Sequence, residues 1–291
     1  MTKFKHFLVE PGTQVNLKDY DPKFTGKFKH KEEAEGMLKA EIEQLAIYQD
    51  LLYATNTYAL LIILQAMDAA GKDSTIKYVM SGVNPQGCQV FCFKAPSAEE
   101  LDHDYLWRAN LALPERGRIG IFNRSYYEET LVVRVHPEIL ESQQLPSELK
   151  TKQIWQQRFD QINNFEHYLV NNGILVLKFF LNVSKAEQKQ RFLERINNPE
   201  RNWKFSVSDA RERVFWHDYM RAYEQVFEHT STSYAPWYII PADRKWYTHL
   251  IIAEIVCERL RSLNLSYPQV SEERRQQLLR AKEILENEPE D

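Results

Sequence analysis

Cysteine is scarce in this 291-residue chain: Cys88, Cys92 and Cys257 form no C-x-x-C pair and have no histidine at metal-ligand spacing. A disulfide framework and a zinc ribbon are therefore excluded as organising principles, and reduced, mostly buried thiols are expected. Long apolar runs are missing as well. The longest, residues 58–64, falls far short of the roughly 20 residues that a membrane-spanning helix needs, and the first residues lack a charged, apolar, small signal pattern. The expectation is a cytoplasmic protein with no membrane partner. Nor is there an excess of basic charge: 37 Lys and Arg against 41 Asp and Glu give a net charge of −4, which argues against a nucleic-acid partner. The charge is uneven, with seven lysines in residues 3–31 (Lys3, Lys5, Lys18, Lys23, Lys27, Lys29, Lys31) and an acid-rich end, SEERRQQLLRAKEILENEPED. Both stretches read as solvated tails.

What is present is the pattern of one α/β domain. The stretch KEEAEGMLKAEIEQLAIYQDLLYAT sets Leu38, Ile42, Leu45, Tyr48 and Leu52 at helical spacing. Strands and helices then alternate: YALLIILQA, a helix from Gly71, QVFCFKA, helix SAEELDHDYLWRANLAL, RIGIFN, a helical turn, and the long helix SELKTKQIWQQRFDQINNFEHYLV. The rhythm repeats with GILVLKFFLNV, helix SKAEQKQRFLERI, helix SDARERVFWHDYMRAYEQVFEHT, APWYIIPA and helix RKWYTHLIIAEIVCERLRSL. Five apolar strands, each followed by helix, imply a five-stranded parallel sheet covered on both faces, a three-layer αβα sandwich. No linker splits the chain, so residues 1–291 read as one domain, with 184–230 a helical excursion over one end of the sheet and 1–30 and 266–291 as terminal extensions. Open parallel sheets bind ligands at the carboxyl ends of their strands.

The first strand runs into AMDAAGKDST. Ala69, Ala70 and Gly71 let backbone N–H groups converge on an anion at a helix N-terminus, Lys72 adds a cation, and Asp68 can hold Mg²⁺. The bland alternative is a tight strand-to-helix turn with a solvated lysine. The phosphate-loop pattern G-x-x-x-x-G-K-[ST] is not matched, because Ala66 and Asp73 stand where Gly and a hydroxyl belong. Ser74 and Thr75 follow too late to replace that hydroxyl directly, so metal binding must shift toward carboxylates. After the third strand, IFNRSYYEE brings Asn123, Arg124, Glu128 and Glu129. Arg124 fits the neutralisation of charge on phosphoryl oxygens, against an ordinary i,i+4 pairing with Glu128. After the fourth strand, SKAEQKQRFLERINNPERNWK carries Arg191, Arg195, Arg201 and Lys204, either a charged helix face or a flap that closes over phosphates. Asp102, His103 and Asp104 lie inside a helical pattern and read as solvated surface.

The segments MDAAGKD, SGVNPQGCQVFCFKAPSAEELDHDYLWR, LPERGRIGIFNRSYYEETLVVRVHPE and NPERNWKFS closely resemble the polyphosphate kinase 2 family over about residues 30–265. The resemblance implies a P-loop kinase core with a helical lid, and transfer of a phosphoryl group from inorganic polyphosphate to AMP or ADP with Mg²⁺ or Mn²⁺ as cofactor. It places Asp68 and Lys72 at the Walker A aspartate and lysine, Asn123 and Arg124 at the Walker B site, and Arg191, Arg195, Arg201 and Lys204 at basic lid positions. The loop residues Ala69 to Ser74 are expected to hold phosphate, and Asn123, Arg124 and Glu128 the nucleotide, adenine or guanine. Glu128 is similar to the glutamate of the subgroup acting on both nucleoside mono- and diphosphates. Departures are Ala66 for a common Gly, Asn123 for an acid, and Arg201 where Lys is frequent. Family members are often dimers or tetramers, which implies a homo-oligomer. Two rivals are an ATP-dependent nucleoside monophosphate kinase of the thymidylate kinase type and a non-catalytic phosphate-binding protein.

Overall fold

Residues 4–289 are described by a computed structural model. The continuous apolar runs become parallel strands: β1 (Ala59–Gln65), β2 (Cys88–Cys92), β3 (Ile119–Asn123), β4 (Ile174–Asn182) and β5 (Trp237–Pro241) pair in the order β2-β3-β1-β4-β5. β1 sits at the centre with every residue buried, as expected of a strand covered on both faces. Its register aligns Leu64 with Asn123 on one side and Gln65 with Phe180 on the other. The chain therefore leaves β1, β3 and β4 along one edge, where candidate chemistry converges.

Helices cover both faces. α1 (Lys31–Thr55), α2 (Lys72–Val79) and α11 (Lys245–Arg261) pack together on one side, while α7 (Ile154–Asn171) and α10 (Trp216–Thr230) pack together on the other. α7 buries Phe159, Ile162, Phe165 and Leu169, the stripe that a half-buried helix needs. Between β4 and β5 the excursion at 184–230 folds as α8 (Lys185–Asn197), α9 (Val207–Glu212) and α10. Among the described residues, no helix is long and apolar enough to cross a membrane.

Three local expectations need correction. The lysine-rich start is not a solvated tail: Phe4, Phe7, Val9, Val15 and Leu17 are buried. Val9 N–H donates to the Trp237 carbonyl (2.9 Å) and Ile239 N–H donates to the Phe7 carbonyl (2.8 Å). This arm covers the free edge of β5, where unpaired backbone groups would otherwise face solvent. Its lysines from Lys5 to Lys31 are exposed; Lys3 lies outside the described residues. SAEELDHDYLWRANLAL is two short helices, α3 (Ala98–Leu101) and α4 (Trp107–Leu111). A Ser97–Glu100 capping box starts the first, and the Asp104 carboxylate accepts from Leu106 N–H at 2.9 Å and draws the backbone out of helix. The long helix begins at Ile154, with Ser147–Leu149 a separate 3₁₀ turn and the intervening short helices α5 (Val132–Val135) and α6 (Pro137–Ser142) preceding it. The acid-rich end is solvated as expected but helical, α12 (Glu272–Glu286), with no buried residue; Glu290 and Asp291 lie outside the described residues.

Candidate active site

The turn after β1 is built for an anion. Ala69 (φ 59°) and Gly71 (φ 119°) take left-handed conformations, so the backbone doubles back before α2 begins. The first N–H groups of α2 have no carbonyl within the helix to bond, and the helix dipole adds positive potential at the same point. Gly71 is needed here twice over, since a Cβ would meet Ser74 Oγ at 3.2 Å in addition to the strained φ. Ala66, by contrast, is not among the residues with positive φ, so the alanine at this position costs the backbone nothing.

Lys72 is 8% exposed, and its ammonium donates to the Ala66 carbonyl at 2.9 Å. Burial, and then the nearby Arg124 charge, push its pKa down, against the pull of Asp68, Glu128 and Asp73. The lysine is thus folded back over its own loop.

The two departures from the phosphate-loop pattern meet each other. Asn123 at the end of β3 donates its amide to Asp73 Oδ1 at 2.8 Å. In effect the acid stands on the helix and the neutral partner on the strand, and a carboxylate at both positions would put like charges in contact. Arg124 follows with φ 64°, held by its N–H to the Leu64 carbonyl (3.0 Å). Its guanidinium bonds Asp68 at 2.6 Å and approaches Glu128 at 3.4 Å. Burial opposes its charge, but Glu128 and Asp68 more than compensate and hold it cationic. Glu128 moves the other way: burial raises its pKa against Arg124 and Lys72. The Gln65 amide, oriented with its oxygen toward Ser125, donates to Glu128 Oε1 at 2.9 Å. In that orientation the amide oxygen accepts from both the Ser125 hydroxyl (3.1 Å) and its N–H (3.2 Å). Lys72, Arg124, Asp68 and Glu128 therefore form a charge-balanced group around the loop.

The expected lid cations separate into two kinds. Arg191 is 7% exposed, and its guanidinium donates to the carbonyls of Ala69 (3.0 Å), Ala70 (2.7 Å) and Ala242 (2.7 Å), with Glu187 at 2.9 Å. It is a prop beneath the loop, with its donors already taken, and not an open contact on a flap. Arg201 and Lys204 are exposed, Lys204 resting over the Trp203 ring at 5.0 Å, and Arg195 lies over Phe192. The Ser74 hydroxyl, expected from the sequence to contact phosphate, donates to the Gly71 carbonyl at 2.8 Å and closes the first turn of α2.

Several residues of the site carried no sequence signal. Gln188 donates to the Asp68 carbonyl at 2.9 Å and accepts from Arg213, tying the 184–230 excursion to the loop. A cleft beside Asp68, Arg124 and Glu128 is closed by Arg213, Tyr219 and Tyr223 from the excursion. Behind the Arg124–Glu128 turn, Tyr126 and Tyr127 both donate to Glu166, which also pairs with Lys178 of β4. Lys178 further donates to the Thr230 carbonyl at 2.7 Å, and the whole network is buried. Neutral amides and a lysine in mid-strand announce nothing on their own; only a lysine inside the apolar run ILVLKFFLN hints at a buried partner.

Divalent metal is testable against this donor set. Among the described residues, no three His, Cys, Asp or Glu side chains converge as a ready cage. Asp68 and Asp73 nevertheless flank the phosphate loop, and Mg²⁺ commonly binds through one or two carboxylates completed by substrate phosphates and water. The residues fit that kind of site.

Comparison with known proteins places this geometry in context. The family model of polyphosphate kinase 2 matches residues 28–267. An ADP-polyphosphate phosphotransferase of Rhodopseudomonas palustris is 50% identical over 284 residues, covering 97% of this chain and 98% of the relative. An AMP/ADP-polyphosphate phosphotransferase of Meiothermus ruber is 44% identical over 272 residues, covering 91% and 96%. Among solved structures, the polyphosphate kinase 2 of Arthrobacter aurescens TC1 superposes with a TM-score of 0.84 at 36% identity, covering 93% of this chain and 94% of that one.

Proposed function

Because the chain belongs to the polyphosphate kinase 2 family, we propose that it transfers the terminal phosphoryl group of inorganic polyphosphate to AMP and ADP, reversibly, giving ADP and ATP. The observation that carries this reading is the near full-length likeness to two relatives whose names specify ADP and AMP/ADP as partners of polyphosphate. The site is consistent in chemistry. An acceptor phosphate is already anionic, so little general-base help is required, and catalysis rests on positioning and charge neutralisation.

In this reading Lys72 swings from the Ala66 carbonyl to the transferring phosphoryl group, and Arg124 bridges from Asp68 to the same oxygens. Glu128 faces the acceptor, where a carboxylate disfavours an extra phosphate and so favours AMP. Arg195, Arg201 and Lys204 close over the donor. Asp68 and Asp73 would hold Mg²⁺ or Mn²⁺, whose charge offsets that of the phosphates when bound. Placement in the cytoplasm and assembly into a homo-oligomer belong to the same proposal.

The test is to incubate the protein with AMP or ADP, Mg²⁺ and polyphosphate, without ATP, and to follow nucleotide products. ADP and ATP are expected from AMP. Turnover with ATP plus AMP but none with polyphosphate would overturn the reading in favour of an ATP-dependent monophosphate kinase.

A further inference from the structure

The phosphate loop has two flanks of different electrostatic character. The order β2-β3-β1-β4-β5 sets β3, with Asn123 and Arg124, on one side of β1, and the ends of β4 and β5 on the other. On the β3 side two acids, Asp68 and Glu128, balance Lys72 and Arg124. On the β5 side stands Lys245, the first residue of α11, whose Cε lies 4.0 Å from where a Cβ on Gly71 would be.

Lys245 is exposed and makes no hydrogen bond or ion pair among the described residues. Its charged neighbours are Arg191 and Arg201, against Glu187 and Glu194. Glu187 is already bonded to Arg191 (2.9 Å), and the nearby Asp243 carboxylate is taken by the Ser184 N–H and hydroxyl at 2.8 Å each. His249, one helical turn after Lys245, is 5% exposed, and its Nε2 has no partner. The charges of Lys245 and Arg191 both act on this ring and, after burial, lower its pKa to about 4, so it is neutral. Tyr78 stacks on it at 5.0 Å. An unanswered ammonium beside a phosphate-loop glycine, with the charges of Arg191 and Arg201 near it, offers an anion a direct contact.

We infer that Lys245 grips an inner phosphate of the donor chain, so that polyphosphate enters over Gly71 from the β5 side and presents its end to Lys72 and Arg124. This rests on the phosphotransferase reading above. It divides the site by charge: the cationic flank takes the chain, which has a negative charge on every phosphate and no base, and the balanced flank takes the nucleotide.

The test uses the full chain and three proteins: wild type, Lys245→Gln and Lys245→Arg. Initial rates are measured with ADP saturating and long-chain polyphosphate varied, then with the two reversed, and polyphosphate binding to nucleotide-free protein is measured by calorimetry. Lys245→Gln should raise the KM for polyphosphate, and weaken its direct binding, by about tenfold, the loss expected for one charge-assisted hydrogen bond. The KM for ADP and the kcat at saturation should stay within about twofold, and Lys245→Arg should recover most of the binding because the charge is kept. An unchanged KM and binding for polyphosphate, or a rise confined to the KM for ADP, would overturn the inference. A drop in kcat with all constants altered would mark a structural effect and overturn it too. Absence of any polyphosphate-dependent turnover in the wild type would instead overturn the phosphotransferase reading.

Discussion

Asn123→Asp replaces the donor of the 2.8 Å bond to Asp73 with a second carboxylate. Two unit charges 4 Å apart repel by about 4 kcal/mol at the effective dielectric of a protein surface and by about 1 kcal/mol in water. Asp73 is exposed and Asn123 buried, so the repulsion falls toward the lower figure, and the lost hydrogen bond adds about 1 kcal/mol. A destabilisation of about 2 kcal/mol follows, or a fall in Tm of roughly 3 °C for a chain of this size. Thermal unfolding in metal-free buffer measures it. Added Mg²⁺ should raise the Tm of the variant more than that of the wild type, because two facing carboxylates gain more from a cation than one. The exchanged pair, Asp73→Asn with Asn123→Asp, keeps one amide and one acid and should recover most of the loss, giving a coupling energy in a double-mutant cycle. If Asn123→Asp melts with the wild type in the absence of metal, the complementarity of these two residues has no energetic content and the reasoning fails.

Lys72→Ala should cost about 2.7 to 4 kcal/mol in the barrier, or 10²–10³ in kcat, by analogy with lost oxyanion donors; turnover within a factor of two of wild type would exclude Lys72 from the chemistry. Glu128 has its pKa raised above the ordinary 4.5, chiefly by burial. The folded state therefore binds more protons than the unfolded one in the interval from 4.5 up to that raised value, and stability declines as pH rises through it. Glu128→Gln should flatten that decline in melting curves taken from acid to neutral pH, and shift the ratio of AMP to ADP turnover toward ADP. Lys178→Met leaves Glu166 a buried, unpaired carboxylate and should destabilise by about 3 to 5 kcal/mol, readable by denaturant unfolding; a double replacement of both partners by apolar residues should recover much of it.

The elements that sequence made legible are those with a strong local cause. α1 spans the residues 31–55 expected from its apolar spacing, and β1 follows the run ALLIILQ. The loop from Asp68 to Lys72 was visible because strand, small residues and lysine succeed one another without a gap. What stayed hidden needed contacts across the chain. Asp73 and Asn123 are 50 positions apart, and each alone looks like a defect. The N-terminal arm misleads because Lys5 to Lys31 face solvent while Phe4, Phe7 and Val9 are buried, with the Phe7 and Val9 backbone bonded to β5. Arg191 has the helical position of a lid cation; only the carbonyls of Ala69, Ala70 and Ala242 converging on it reveal a prop.

That prop bears on how the site is kept in shape. Ala69 and Arg124 both hold left-handed backbone, at φ 59° and 64°, which costs a non-glycine residue on the order of 1 to 2 kcal/mol each. Such conformations persist where the surroundings over-determine them. Around Ala69 the determinant is Arg191, whose donors fix the carbonyls on either side of the turn. Around Arg124 it is the Leu64 carbonyl on one side and, on the other, Tyr126 and Tyr127 anchored to Glu166 and Lys178. The Asp68–Arg124 contact joins the two turns, since Asp68 immediately precedes Ala69, so relaxation of either support moves both charges. The phosphate loop and the arginine turn thus depend on groups that need not touch substrate, which is why Arg191 and Glu166 are placed to affect turnover as well as stability.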